Sequence, residues 1–148
     1  MAEPVSISDP SLSDRVANAM YANDRATRAL GIEILATAPG QATLVMTVRE
    51  YMLNGHAICH GGMIATLADS AFAFACNSYN EQTVASSFAI ELLAPARLAD
   101  VLVARCSEVS KAGRTGVYDT EVRNQHDQRI ALFRGRSYTF KGKPVITG

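Results

Sequence analysis

The chain has no excess of charge of either sign: lysine and arginine together number 14, and so do aspartate and glutamate. That balance argues against nucleic acid or an anionic membrane surface as the main partner. No run approaches the roughly 20 apolar residues that a bilayer-crossing helix needs. The opening residues, MAEPVSISDPSL, have neither the basic leader nor the apolar stretch of a secretory signal. Cysteine is scarce and odd in number, at Cys59, Cys76 and Cys106. Without a secretory context these read as reduced thiols, and the expected location is the cytoplasm. Internal repeats, low-complexity tracts and linkers are absent too. The 148 residues are therefore expected to form one domain, with residues 1–10 as a flexible N-terminus.

What is present is ample apolar content, 48%, which excludes disorder as the ground state. Residues 11–30 read as a helix, with Ser11 or Ser13 as cap, Leu12, Val16, Ala19, Met20 and Leu30 at helical spacing, and Gly31 as the stop. A strand follows, then a Pro39-Gly40 turn and an alternating segment with Ala42, Leu44, Met46 and Val48 on one face. Residues 50–60 read as a loop. Residues 62–78 are too long and too rich in alanine and leucine for a strand, and predict a helix. Four strand-like segments complete the chain, at 83–93, 99–109, 115–124 and 128–140. Strands joined by tight turns predict an antiparallel sheet, and the long helix must bury its apolar surface on the sheet's concave face.

The stretch HAICHGGMIATLADSAFAFACN, residues 56–77, is the candidate for chemistry; the competing readings are a glycine-rich helix start needed only for chain entry and an aspartate hydrogen-bonded in a polar gap. From Met63 to Cys76 it is apolar nearly all round, yet Asp69 sits in its middle. A carboxylate there loses solvation, so its pKa and basicity are expected to rise. Gly61-Gly62 opens the helix, where free N–H groups and the positive end of the dipole are found. Without side chains, a substrate carbonyl can approach that backbone closely.

LNGHAICHGGMIATLADSAFAFACNS, continued by TVASSFAIELLAPARLAD and KAGRTGVYDTEVRNQHDQRIALFRG, resembles the phenylacetate-degradation (PaaI) type of hotdog-fold thioesterase over roughly residues 15–140. The resemblance implies an α+β hotdog fold: an antiparallel sheet of about six strands wrapped around one long helix, with an added N-terminal helix. It implies an acyl-CoA thioesterase acting on aryl-acetyl or ring-hydroxylated phenylacetyl-CoA, with coenzyme A as part of the substrate and no cofactor. By the same resemblance Asp69 is the catalytic acid and Gly61 the backbone donor to the thioester carbonyl. Asn54 positions substrate or water, and His60 supports. Gly62, Ser86 and Ser87 are substrate-binding candidates. Asp69 acts either as general base or as a nucleophile forming a mixed anhydride. Gly61 and Asp69 lie eight positions apart, roughly 12 Å along a helix, whereas a base and an oxyanion donor must both come within about 3 Å of the reacting centre. If both act, two antiparallel helices must face each other, which predicts a two-fold dimer with composite sites. Family members commonly pair such dimers into tetramers.

Other readings compete. His56, Cys59 and His60 match no standard zinc spacing, and Ser70 lacks a nucleophile elbow. Glu91, placed by alternation on one face with Ala85, Ser87 and Ala89, is expected to be a solvated residue. Phe72 and Phe74 could contact an aryl group, although core packing suits either. Lys111, Arg114, Arg134 and Arg136 could pair with coenzyme A phosphates. An enoyl-CoA hydratase would use an Asp–His pair, and a non-catalytic acyl-CoA sensor would bind without turnover. Residues 1–30 show no helix-turn-helix pattern or basic cluster for such a regulator.

Overall fold

The computed structural model describes residues 10–148. Helices α1 (Pro10–Asn23) and α2 (Arg25–Ala29) precede strands β1 (Glu33–Ala38) and β2 (Gln41–Thr47). A 3-10 turn (Glu50–Met52) and a loop lead into the long helix α3 (Gly61–Cys76). Four strands follow: β3 (Thr83–Leu92), β4 (Val101–Ala112), β5 (Thr115–Arg123) and β6 (Arg129–Thr139). All six strands join one antiparallel sheet in the order β1-β2-β4-β5-β6-β3. This is the architecture expected from the sequence.

Two-residue alternation sets the faces. Ala42, Leu44 and Met46 on β2 are buried between half-exposed neighbours, and β5 and β6 keep the same period. The apolar faces line one inner surface, and α3 lies across it, touching every strand. Leu67, Ala68, Ala71, Phe72 and Ala75 of α3 pack among Leu44, Met46, Leu102, Tyr118 and Phe133. Alanine on the helix lets the sheet close in. At Gly135 the fit is tighter, since a Cβ there would meet the Phe72 ring at 2.6–2.9 Å. Full burial of Phe72 contributes about 1.5–3 kcal/mol.

Four details differ from the sequence reading. The first helix is broken at Asp24, whose carboxylate caps α2 by accepting the Thr27 N–H at 3.0 Å and the Thr27 hydroxyl at 2.6 Å. A short acidic side chain bonding its own backbone outcompetes helix continuation. Helix α1 opens at Pro10, so positions 11 and 13 lie inside the helix and not at its cap position, and the Ser13 hydroxyl meets Thr37 at 3.1 Å. Helix α3 is not buried all round, because Gly62, Thr66, Asp69 and Ala73 form a less covered stripe. Strand β3 contains a bulge between Ala85 and Ser87, so Ala85 pairs with buried Ser137 and Ser87 with exposed Arg136, on opposite faces. The flexible stretch expected over residues 1–10 lies, apart from Pro10, outside the described residues.

Strand β3 is an edge strand, and little covers it. Its inner-face residues Phe88 and Leu92 are 48% and 53% exposed.

Candidate active site

The N-terminus of α3 is built by a histidine. His60 is the N-cap, with extended φ and ψ of −59° and 132°, and its Nδ1 accepts the Gly62 N–H at 3.1 Å. The His60 carbonyl takes the Met63 N–H at 2.9 Å. The Gly61 N–H is left with no partner among the described residues. Leu92 roofs this position, its Cδ1 lying 2.6 Å from where a Cβ at residue 61 would stand.

The preceding loop presents a second free donor. Asn54 Oδ1 accepts the His56 N–H at 2.9 Å and the Ile58 N–H at 3.4 Å. Those backbone groups can only donate, so they fix the amide orientation. Asn54 Nδ2 then has no partner among the described residues. Asn54 and Gly61 both line a groove of about 390 Å³, otherwise walled by groups such as Ile58, Ile64, Leu92 and Pro95. Two N–H donors in an apolar groove suit a carbonyl oxygen that gains negative charge.

Asp69 stands two turns further along, half-buried on the open stripe of α3, and accepts no hydrogen bond from a described residue. Burial raises its pKa above the ordinary carboxylate value, and the like charge of Asp24 raises it further. Asp24 is held in place by Thr27, whose hydroxyl also meets Ser70 at 2.9 Å and so ties α2 to α3 beside Asp69. A second groove of about 420 Å³, bounded by Met20, Asn23, Asp24, Thr83 and Val84, opens on that side.

The structure thus brings Asn54, His60 and Gly61 together and sets Asp69 apart on the same helix. Other residues singled out in the sequence lie elsewhere. Gly62 is adjacent, but its N–H is spent on His60. Phe72 and Phe74 are core residues, 1% exposed each, so neither lines a groove. Ser86 donates to the Arg136 carbonyl at the bulge, and Ser87 points to the outer sheet face. Arg134 is on that outer face as well, paired with Asp119 through bonds of 2.6 and 2.8 Å. Glu91 is exposed there, as its solvated reading anticipated. Arg114 is exposed at the β4–β5 turn. Lys111 sits over the Tyr79 ring, 3.8 Å from its centroid. Among the described residues no three potential ligands cluster to hold a metal. Burial pushes the Cys59 thiol up to about 11 and Cys106 to about 12, away from thiolate chemistry.

A family model described as the thioesterase superfamily matches residues 56–131, from the loop before α3 into β6. The acyl-coenzyme A thioesterase PaaI of Escherichia coli (strain K12) is 47% identical over 132 residues, which is 89% of this chain and 93% of that protein. The chain belongs to the thioesterase superfamily. Solved structures agree with that membership. The E. coli PaaI protein from the phenylacetic acid degradation operon superposes with a TM-score of 0.89 at 44% identity, covering 93% of this chain and 99% of that one. A mutant of the phenylacetic acid degradation protein PaaI from Thermus thermophilus superposes at 0.76 with 36% identity, covering 79% and 100%. The hotdog architecture expected from the motif is therefore that of this superfamily member.

Sequence reasoning passed over Asp24 and Thr27, and weighed Ser70 only as a nucleophile. A signal was present: Asp24 precedes Thr27 by three positions, the spacing of a helix cap. The cap inside an apparent helix marks where the chain turns against α3 in this thioesterase fold. In one chain His60 does not pair with Asp69, since its Nδ1 is committed to Gly62 and it lies nine positions away. Nothing here favours the hydratase reading.

Proposed function

We propose that this chain hydrolyses acyl-CoA thioesters at composite sites, each shared by two copies. The observation that carries the reading is the separation of free groups on α3. Unpartnered N–H donors from Gly61 and Asn54 line one groove, and an unpartnered carboxylate with raised pKa lies eight residues on. In the assembled site the thioester carbonyl accepts hydrogen bonds from the Gly61 N–H and Asn54 Nδ2, which strengthen as its oxygen becomes an oxyanion. His60 acts indirectly: by occupying the Gly62 N–H it keeps the helix end rigid and leaves the Gly61 donor to the substrate. Asp69 of the partner copy either takes a proton from the attacking water or attacks the carbonyl itself, and coenzyme A leaves as the thiol.

Edge strand β3 supports the pairing. It offers an unused row of backbone groups, an exposed Phe88, and an exposed Leu92 beside Gly61. The acyl class we propose is aryl-acetyl, including ring-hydroxylated phenylacetyl. The 420 Å³ groove beside Asp24 would take the ring, and the E. coli relative comes from a phenylacetic acid degradation operon.

The test is thiol release from phenylacetyl-, hydroxyphenylacetyl-, benzoyl- and aliphatic-CoA by the wild type and Asp69→Asn. Turnover that favours the aryl-acetyl members and falls by orders of magnitude in the variant supports the reading. Equal rates would remove Asp69 from the chemistry, and tight binding without turnover would make the protein a sensor. A single turnover in heavy-oxygen water separates the two roles of Asp69, because only the nucleophile route leaves label in its carboxylate.

A further inference from the structure

Two five-residue loops of this chain share one hydrogen-bond pattern. In Asn54-Gly55-His56-Ala57-Ile58, the Asn54 N–H donates to the Ile58 carbonyl at 2.8 Å, and its own carbonyl accepts from Ala57 at 3.0 Å. Its Oδ1 accepts from His56 and Ile58. In Asn124-Gln125-His126-Asp127-Gln128, the Asn124 N–H donates to Gln128 at 3.0 Å, its carbonyl accepts from Asp127 at 3.0 Å, and its Oδ1 accepts from His126 and Gln128 at 3.0 Å each. Even the left-handed fourth residue recurs, with φ of 59° at Ala57 and 61° at Asp127.

The loops differ where a covalent reaction would notice. Gln125 follows Asn124, and its side chain is anchored to the Val101 N–H at 3.0 Å and to Asp100 at 2.8 Å. Gly55 follows Asn54, with open space where a Cβ would stand and no partner for its N–H among the described residues. The Asn124 amide nitrogen donates to Gln128 at 3.2 Å, while that of Asn54 is unanchored.

We propose that Asn54 is a self-modification site, converting through a succinimide with Gly55. The Gly55 nitrogen, having given its proton to hydroxide, attacks Asn54 Cγ and forms a new C–N bond. The Cγ–Nδ2 bond breaks, and Nδ2 takes a proton and leaves as ammonia. Water then opens the ring at either carbonyl, leaving aspartate or isoaspartate at position 54. No oxidant or reductant is required. The bond from the His56 N–H to Oδ1 folds the amide back over the Gly55 peptide. The two donors on Oδ1 also stabilise the oxyanion of the tetrahedral intermediate. Glycine offers no side chain to block the approach. The product replaces a donor by a carboxylate in the groove beside the Gly61 N–H. That it silences the enzyme rests on the role proposed for Asn54 above; the chemical step does not.

The experiment incubates the full-length protein at mildly acidic and mildly alkaline pH, maps peptides by mass spectrometry, detects isoaspartate enzymatically and assays thiol release on the same aliquots. Asn54 should convert several-fold faster than Asn124, faster in alkali, and Gly55→Gln should slow it to the rate of Asn124. Equal rates at the two asparagines, or conversion indifferent to Gly55→Gln, would overturn the proposal. Conversion at Asn54 with thiol release undiminished would leave the modification site standing and remove Asn54 from the catalytic reading.

Discussion

Proline at position 61 would delete one N–H from this protein and change little else. Gly61 is the first residue of α3, where a backbone donor has no intrahelical partner and proline is tolerated. The residue before a proline must be extended, and His60 already is, at φ −59° and ψ 132°. One obstruction stands in the way, the Leu92 methyl 2.6 Å from a Cβ at position 61, and a Leu92→Ala background clears it. Measured against that background, Gly61→Pro is expected to lower kcat for thiol release by about 10²–10³-fold, or ~2.7–4 kcal/mol, the cost of one oxyanion donor. The unfolding midpoint should hardly move. The same variant locates the base. Co-expressed with Asp69→Asn, random pairing makes half the dimers mixed, and in each mixed dimer one site carries both lesions and the other neither. About a quarter of the parent turnover should return. A proline variant as active as its parent would refute the donor assignment. A co-expressed pair no better than its separate members would mean that both groups act within one chain, and the two-fold argument would be wrong.

Asp24→Asn removes the like charge beside Asp69 while keeping a good helix cap, so the acid limb of kcat/KM should move to lower pH; an unmoved limb would exclude Asp24 from tuning the site. Because its folded pKa is raised, ionised Asp69 costs stability as pH climbs above the ordinary carboxylate value of about 3.9. Asp69→Asn should therefore gain stability at neutral pH in denaturant unfolding while losing turnover, and a loss of stability would contradict the assigned shift. Gly135→Ala drives a methyl into the Phe72 ring, which is held 5.6 Å from Tyr118 and 5.8 Å from Phe133, and should cost about 1–3 kcal/mol; an unchanged midpoint would show that the ring can yield.

Much of the fold was legible because local and long-range signals agree. Alternation along Gln41–Thr47 matches a strand with one buried face, and the alanine-rich run matches a helix under a sheet. Legibility failed where one side chain overrides a pattern. Asp24 stops a helix whose apolar spacing continues past it, since a local hydrogen bond is invisible to periodicity. Ser86 shifts the faces of β3, since a bulge needs only one unpaired residue and leaves no compositional trace. In the site, the motif pointed to the Gly61 N–H, His60 and Asp69, but not to why that N–H remains free. That depends on the His60 ring turning back to Gly62, a rotamer and not a residue type. The pairing of Arg134 was hidden for the same kind of reason. Its charge was plain, but the cross-strand register that places it opposite Asp119 was not.

Three features of the single chain bear on the proposed pairing. Strand β3 exposes a ten-residue edge with no proline or lysine and one charge, Glu91, so it lacks the devices that discourage pairing. Phe88 and Leu92 leave apolar surface on the inner face beside that edge. Asp69 holds a half-buried carboxylate with no hydrogen-bond partner among the described residues, and the Gly61 N–H has none either. A core defect would explain any one of these alone; together on one flank of α3 they support the pairing proposed above. In that proposed dimer, antiparallel pairing of β3 with a second β3 would satisfy the edge and cover the apolar strip. It would also set the two α3 helices antiparallel. With the two-fold axis midway between Gly61 and Asp69, each donor would then meet the carboxylate it cannot reach along its own helix, about 12 Å away.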